Sequence, residues 1–295
     1  MKRKRDNHKR FAFIVTLCIM LLLIGLPIYI ITLNRNQQIN SFASGQVNST
    51  PTGTRGNTTG QWLITTNLLM KLGSMNSTTA NWFFNTPLAF VKSSTVENYN
   101  AQPIASYTSY AQFSQDLHNG TFPKGISWVM YGIESNTNSP LEEKKNPAYY
   151  LKAFALLAHQ YHLKTMEVPG RDLVDVSGAM CHANAGETLD QAYIRCRIPA
   201  DSQYADIYQV EAQADQPNIS TYTNLVNAAI SQVRNAAPSI TVMSGLTTDR
   251  GDSAQQIYLC WQATHTLVSG YWMNSNSSTL SIAEQALDKI RAAGG

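Results

Sequence analysis

The sequence predicts an α/β fold, a (β/α) barrel of the TIM type that is complete or lacks a helix or two, after an N-terminal transmembrane helix. Short apolar segments alternate with helical segments of roughly 10–15 residues, a pattern typical of βαβ units around a parallel sheet. Six or seven such strands in about 210 residues fit a small barrel. An open doubly wound sheet is the alternative, and the lack of a Gly-rich phosphate loop after a first strand weakens it.

The transmembrane helix is predicted at residues 11–33, a run of 23 residues without a charged side chain. A helix needs roughly 20 apolar residues to cross the hydrocarbon core. Residues 1–10 hold six basic side chains and one acidic one, which keeps this end in the cytoplasm. A cleavable signal peptide is the alternative, but its apolar core would be shorter, about 7–15 residues. We therefore expect a single-pass protein of the cell membrane with an extracytoplasmic C-terminal domain.

The composition beyond this segment predicts a polar stalk at residues 34–61 and a globular domain at residues 62–295. The stalk is rich in Asn, Gln, Ser, Thr and Gly, and it has too little apolar surface to offset the entropy of ordering. After residue 10 the chain has 16 basic and 18 acidic residues. A near-neutral domain lacks the basic face that binds a phosphate backbone, so no nucleic-acid partner is expected. No motif predicts a cofactor.

The secondary structure of the domain is predicted from its apolar runs and from the prolines that begin or end helices. The aromatic run at 126–133 is a strong strand, Pro147 begins a helix where its missing N–H costs nothing, and Pro238 ends another. Residues 61–72 and 81–84 have a mixed pattern and are not assigned. The predicted strands are 87–92, 103–107, 126–133, 163–168, 205–213, 239–245 and 269–274. The predicted helices are 109–118, 147–161, 221–236, 253–267 and 282–293.

Three cysteines lie in the predicted domain. Cys181 and Cys196 bracket a polar segment between two strands, and outside the cytoplasm thiols can pair. We expect a disulfide between them. Cys260 lies in a predicted helix among aromatic residues and is expected to be a buried free thiol. A zinc site formed by Cys181, His182 and Cys196 lacks a ligand set with suitable spacing, so no metal is predicted.

Functional residues of a (β/α) barrel are expected at the carboxyl ends of its strands. Side chains alternate along each strand, and the apolar set should face the surrounding helices. On this basis Met166 and Val168 face outwards and Thr165 and Glu167 inwards, whereas Ile207 lies on or near an outward set. The inward polar and rim residues are predicted to be Glu134, Glu167, Gln209, Glu211, Gln213, Asp249, Trp272 and Asn274, with Arg171 and Asp172 in the following loop.

Facing carboxylates are what hydrolysis of a glycosidic bond requires. One protonates the leaving oxygen, and the other attacks the sugar or activates water, at about 5–5.5 Å or 6.5–9.5 Å separation respectively. Trp272 can stack on a sugar ring, but it is equally consistent with barrel core. An acidic residue at a strand end is often only a loop cap or half of an Arg pair, and Arg171 and Arg250 are close in sequence. No G-x-S-x-G serine motif is present.

The stretch WVMYGIESNTNSPLEEKKNPAYYLKAFALLAHQYHLKTMEVPGRDLV and the later segments ADIYQVEAQ, SITVMSGLTTD and SGYWMN resemble a group of uncharacterised secreted bacterial proteins. That group is similar to a truncated glycoside-hydrolase-like barrel. The resemblance covers about residues 86–295 and implies a (β/α) barrel and a secreted setting, without an activity to carry over. Two departures, Gly132 where the group often has an acidic residue and Glu211 where it often has Gln, weaken a fixed two-carboxylate mechanism. The rim residues that the resemblance supports are Glu134, Arg171 and Asp172.

The leading hypothesis is therefore a membrane-tethered glycoside-hydrolase-like barrel that acts on or binds surface carbohydrate. Glu134 would be the general acid, with Glu211 or Glu167 as its partner and Asp172 as a further candidate. Trp272, Asn274, Asp249, Arg171, Gln209 and Gln213 would bind the substrate. The alternatives are a non-catalytic barrel that binds a glycan or a protein, and a structural ectodomain whose rim acids are paired with arginines.

Overall fold

A computed structural model describes residues 60–295, which form a closed barrel of eight parallel strands. Each strand pairs with the next along the chain, and β8 pairs with β1 to close the ring. This is the TIM-barrel architecture, and it excludes the open doubly wound sheet. The strands are β1 (Gln61–Thr65), β2 (Phe90–Lys92), β3 (Gln102–Tyr107), β4 (Trp128–Tyr131), β5 (Lys164–Glu167), β6 (Ile207–Val210), β7 (Thr241–Thr247) and β8 (Gly270–Asn274).

Helices surround the barrel and connect most of the strands. Side-chain caps begin many of them; for example, the Ser109 hydroxyl accepts a hydrogen bond from the Gln112 N–H, and Asn146 caps the helix that Pro147 begins. The helices are α1 (Thr66–Met75), α2 (Ser77–Phe84), α3 (Tyr110–Asn119), α4 (Leu141–Lys145), α5 (Pro147–Gln160), α6 (Leu189–Arg195), α7 (Ile198–Asp201), α8 (Ile219–Ala236), α9 (Ala254–Thr264) and α10 (Leu280–Ala292).

The N-terminal predictions fall mainly outside the described part of the chain. The predicted membrane segment at 11–33 and all but the end of the predicted stalk at 34–61 lie there. Strand β1 begins at Gln61, one residue before the predicted start of the domain. Within residues 60–295, no helix is both long and apolar enough to span a bilayer.

The seven predicted strands are all present, and the eighth, β1, was not assigned from the sequence. Its segment QWLIT runs directly into α1, because Thr65 both ends the strand and caps the helix through its hydroxyl. A strand of five residues that is joined to a helix without a turn shows neither the two-residue period of a strand nor the 3.6-residue period of a helix clearly. The barrel is therefore complete rather than truncated.

The core has two layers, one inside the barrel and one between the barrel and its helices. The inner layer includes Leu63, Phe90 and Trp128, and the outer layer includes Tyr131 and Tyr208. Both layers are apolar, because a parallel barrel is buried on both faces of its sheet. On each strand, the inward-facing residues nearest the carboxyl end lie at the mouth of the barrel, and they form the site described below.

The predicted orientation of β5 was wrong. Met166 and Val168 pack inside the barrel, so Thr165 and Glu167 face the helices. The predicted outward position of Ile207 was also wrong, since it belongs to the inner layer. The reason is that both environments are apolar, so the apolar set of a strand can face either way. For β7 and β8 the inward placement predicted for the sets of Asp249 and Trp272 is confirmed, since Met243, on the same set as Asp249, and Trp272 both contact the inner layer.

Candidate active site at the carboxyl end of the barrel

A pocket of about 640 Å³ opens at the carboxyl ends of the strands. Eight of the ten residues predicted for catalysis or substrate binding line it, and Glu167 and Gln209 do not. The sequence-predicted residues in the pocket are Glu134, Arg171, Asp172, Glu211, Gln213, Asp249, Trp272 and Asn274. Residues separated by up to 140 positions therefore meet in one place, as parallel strands with a common carboxyl end require.

Glu134 follows β4 and lies beside the loop after β5. Its backbone N–H donates to the Ser139 hydroxyl at 3.2 Å, and its carboxylate accepts a hydrogen bond from Asn136 Nδ2 at 2.8 Å. Burial and the negative charge of Asp172 raise the pKa of Glu134, while Asn136 and the charge of Lys92 act in the opposite direction. The carboxylate thus has a fixed position and one polar partner, and it remains open to the pocket.

Glu211 lies directly after β6 and has the most perturbed carboxyl group of the pocket. Burial, together with the negative charges of Glu134 and Asp172, raises the pKa of Glu211 to about 8. Gln213 and Arg171 act in the opposite direction and do not overcome this effect. A carboxyl group with this pKa holds its proton at neutral pH and can donate it, as a general acid must.

Asp172 lies in the loop after β5, within the short 3-10 helix Arg171–Asp175, and is the third carboxylate of the site. It accepts hydrogen bonds from the Ser135 N–H at 3.1 Å and from the Ser135 hydroxyl at 2.5 Å. A Cβ placed on Gly170 would lie 2.5 Å from Asp172 Oδ1 and 3.1 Å from Glu134 Cγ. The absence of a side chain at Gly170 is therefore what allows the loop to bring Asp172 against Glu134.

Arg171 does not neutralise these carboxylates. Its guanidinium forms ion pairs with Asp190 and, at 2.6 Å, with Asp215. Within residues 60–295, none of Glu134, Asp172 and Glu211 has a Lys or Arg nitrogen within ion-pair distance. The hypothesis of a structural ectodomain with an Arg-paired rim required such pairs, and the described domain does not have them.

The disulfide between Cys181 and Cys196 is confirmed, and Cys260 is a buried free thiol as predicted. The bonded pair closes the loop that carries α6 and Asp190, the partner of Arg171. Thr188 and Gln191 form a capping box at the start of α6. The covalent link therefore fixes one wall of the pocket, and it occupies both thiols of the rejected zinc site.

Trp272, Asn274 and Asp249 line the opposite side of the pocket. Trp272 packs on the inner core and borders the pocket as well, so it serves as both core and lining. Asp249 accepts hydrogen bonds from Asn274 Nδ2 at 3.2 Å and from Asn276 Nδ2 at 2.7 Å. Asp249 therefore organises the loop after β8, and Asn274 is held in place by it.

Two predicted residues do not belong to the site. Glu167 is fully buried behind the barrel wall, and neither of its carboxylate oxygens has a hydrogen-bond partner within residues 60–295. Burial raises the pKa of Glu167 well above its usual range. Gln209 does point inwards, but it is fully buried below the pocket and its amide has no partner there.

Lys92 is a charged neighbour of the pocket that was not predicted from the sequence, and the lining residues Leu189, Ala214 and Thr247 were not predicted either. Lys92 ends β2, opposite Thr65 and Ile104 in the neighbouring strands, and its Nζ lies 5.8 Å from the centre of the Trp272 ring. Burial lowers the pKa of Lys92, against the opposing effect of Glu134 and Glu211. The alternation of Phe90, Val91 and Lys92 would have placed the lysine inwards, on the same set as Phe90.

No family model and no curated protein matches the chain. Solved structures do match. They include triosephosphate isomerase from Bartonella henselae, 11% identical with a TM-score of 0.44 over 79% of this chain and 99% of that one. A provisionally named α-L-fucosidase from Bacteroides thetaiotaomicron is 10% identical, with a TM-score of 0.40 over 67% of this chain and 69% of that one. A Schiff-base-forming fructose-1,6-bisphosphate aldolase is 11% identical, with a TM-score of 0.41 over 79% of this chain and 92% of that one. Matches at this level say nothing about activity.

Proposed function

We propose that the barrel is an extracytoplasmic glycoside-hydrolase-like enzyme, tethered to the cell membrane by residues 11–33, that acts on cell-surface or environmental carbohydrate. The observation that carries this proposal is the pair Glu134 and Glu211 in one open pocket. The negative charge of Glu134 acts on Glu211, and the two carboxyl groups have different surroundings. Paired carboxyl groups with separated roles are what glycosidic cleavage requires.

The surroundings favour a division of roles opposite to the one expected from the sequence. Glu211, with a pKa of about 8, is the better proton donor to the leaving oxygen. At Glu134, the hydrogen bond from Asn136 and the positive charge of Lys92 both favour the ionised form. Glu134 is therefore assigned the role of the carboxylate that attacks the sugar or activates water. Trp272 offers a ring face for the sugar.

The proposal is tested by a hydrolysis screen of the full-length protein on cell-wall and plant polysaccharides. Glu211→Gln and Glu134→Gln should each lower the release of reducing sugar by about 100-fold or more, since acid–base groups contribute roughly 10²–10⁴ to the rate. Glu142→Gln is the matched control, because its side chain is 76% exposed and lies outside the pocket. It should leave the rate unchanged.

The pH profile distinguishes the two carboxyl groups. If Glu211 is the acid, kcat/KM should fall as the pH rises past about 8, where the proton is lost. Unchanged hydrolysis by Glu211→Gln would refute the assignment of the acid. If no polysaccharide is cleaved but the native protein and both variants retain glycan binding, the non-catalytic binding barrel is the correct alternative.

A further inference from the structure

The short helix α4 borders the loop that carries Glu134, and its buried residue Glu143 anchors it. The Glu143 carboxylate accepts hydrogen bonds from the Tyr131 hydroxyl at 2.6 Å and from the Ser109 hydroxyl at 3.0 Å. It also accepts hydrogen bonds from the first two N–H groups of α3, at 2.7 and 3.1 Å. Four donors to one buried side chain hold it in a single position. Helix α4 is therefore fixed both to the barrel wall and to α3.

Lys144, the next residue, extends from this anchor to the loop after β4. Its Nζ donates to the carbonyl oxygen of Ser135 at 3.1 Å and to that of Asn136 at 2.9 Å. In the described part of the chain, Lys144 forms no ion pair with a carboxylate. It is also absent from the lining of the pocket. Its contact with the site is therefore made through the loop.

The two residues that Lys144 holds are those that donate to the pocket carboxylates. Ser135 donates to Asp172 through its N–H at 3.1 Å and through its hydroxyl at 2.5 Å. Asn136 Nδ2 donates to the Glu134 carboxylate at 2.8 Å. One ammonium group, with three N–H donors, thus fixes the backbone from which both sets of donors extend.

We propose that Lys144 is a positioning residue, which orients the carboxylates of Glu134 and Asp172 through the loop between β4 and α4. This inference rests on the proposed function, because it assigns a role in the same site to a residue outside the pocket. Reacting groups must be held within about 0.5 Å of their productive geometry. A loop reaches this precision when it is tied to a rigid element, and α4 is that element.

The test follows the titration of Glu134 without a substrate. Full-length protein is treated with a water-soluble carbodiimide and glycine ethyl ester between pH 4 and 8, and peptide mass spectrometry compares Glu134 with the exposed Glu97. The reagent activates protonated carboxyl groups, so modification falls as the pH passes the pKa of Glu134. The hydrogen bond from Asn136 favours the ionised form. Lys144→Met should therefore move the midpoint upward by about half a pH unit, the size expected for one solvent-exposed hydrogen bond.

Matched variants separate positioning from the charge of Lys144. Asn136→Ala removes the hydrogen bond itself and should give the same shift, and the double variant should shift no further, because both changes break one path. A charge that acted directly through space would add to the effect of Asn136→Ala. Lys144→Arg can donate to both carbonyl groups and should restore the native midpoint. Lys145→Met removes a neighbouring charge that pairs with Glu142, and it should leave the midpoint unchanged. Every variant keeps the charged groups that interact electrostatically with Glu134, namely Lys92, Asp172 and Glu211.

The proposal is overturned by a native midpoint in Lys144→Met, by no shift in Asn136→Ala, or by an additive shift in the double variant. If Lys144→Met does not fold, as judged by circular dichroism, Lys144→Gln takes its place under the same criteria. On a glycan cleaved in the hydrolysis screen, Lys144→Met should lower kcat at least about tenfold with little change in KM, and a loss confined to KM would also overturn the proposal. Carbodiimide labelling uses no glycoside, so its outcome is independent of whether hydrolysis is found.

Discussion

Replacement of Glu211 by Gln should stabilise the protein while it removes the proposed acid. The folded protein holds a proton on Glu211 up to a pKa of about 8, whereas the unfolded chain releases it near 4.5. Between these values the folded state binds one more proton than the unfolded state. The free energy of unfolding therefore falls by about 1.4 kcal/mol for each pH unit across this window. A glutamine has nearly the same shape and no such proton.

The size of the effect follows from the two pKa values. At pH 7 the wild-type protein has lost about 3 kcal/mol relative to pH 4.5, and above pH 8 the loss approaches about 5 kcal/mol. These are upper values, because Glu211 keeps some contact with solvent. Below about pH 4.5 the carboxyl group is protonated in both states, and the variant should have no advantage from this source.

The measurement is urea unfolding of full-length wild-type protein and Glu211→Gln at pH 5, 7 and 9, followed by tryptophan fluorescence. The difference in free energy of unfolding should be below about 1 kcal/mol at pH 5 and should favour the variant increasingly at pH 7 and 9. Glu142→Gln removes an exposed carboxylate and should follow the wild-type curve. If the variant instead shows the wild-type pH dependence, Glu211 is ionised in the folded state, and its role as the acid fails with it.

Three further predictions concern residues around the site. Glu167→Gln should raise the free energy of unfolding at pH 7 in urea titrations, because burial raises the pKa of Glu167 and its carboxyl group must bind a proton on folding, whereas an amide need not. Unchanged stability would mean that Glu167 is not protonated in the folded state. Gly170→Ala should displace the carboxylates beside it and abolish hydrolysis with little effect on circular dichroism, whereas Gly132→Ala, whose Cβ would meet no atom within 4 Å, should be active. Replacing Cys181 and Cys196 together by Ser should lower the free energy of unfolding by up to about 3 kcal/mol in urea titrations, and equal stability would mean that the loop is held without its disulfide.

The orientation of a polar set could be predicted for some strands and not for others. In β8, Trp272 and Asn274 share a set with Gly270, and this set does face the pocket. In β5 the same reasoning put Glu167 inwards, and it lies against the helices. Both faces of a parallel barrel strand are buried, so alternation separates two sets of side chains but does not say which set faces the interior.

Three features could be predicted from the chain alone, namely the alternation of strands and helices, the pairing of Cys181 with Cys196 and the acidic character of the strand ends. These features depend on local period and on short spacing along the chain. The fold was needed to show that Arg171 pairs with Asp190 and Asp215, so that within residues 60–295 it forms no ion pair with the pocket carboxylates. Closure of the barrel also brings Lys92 of β2 near Trp272 of β8 and within electrostatic reach of Glu211. Such effects depend on distance in space rather than on position in the chain.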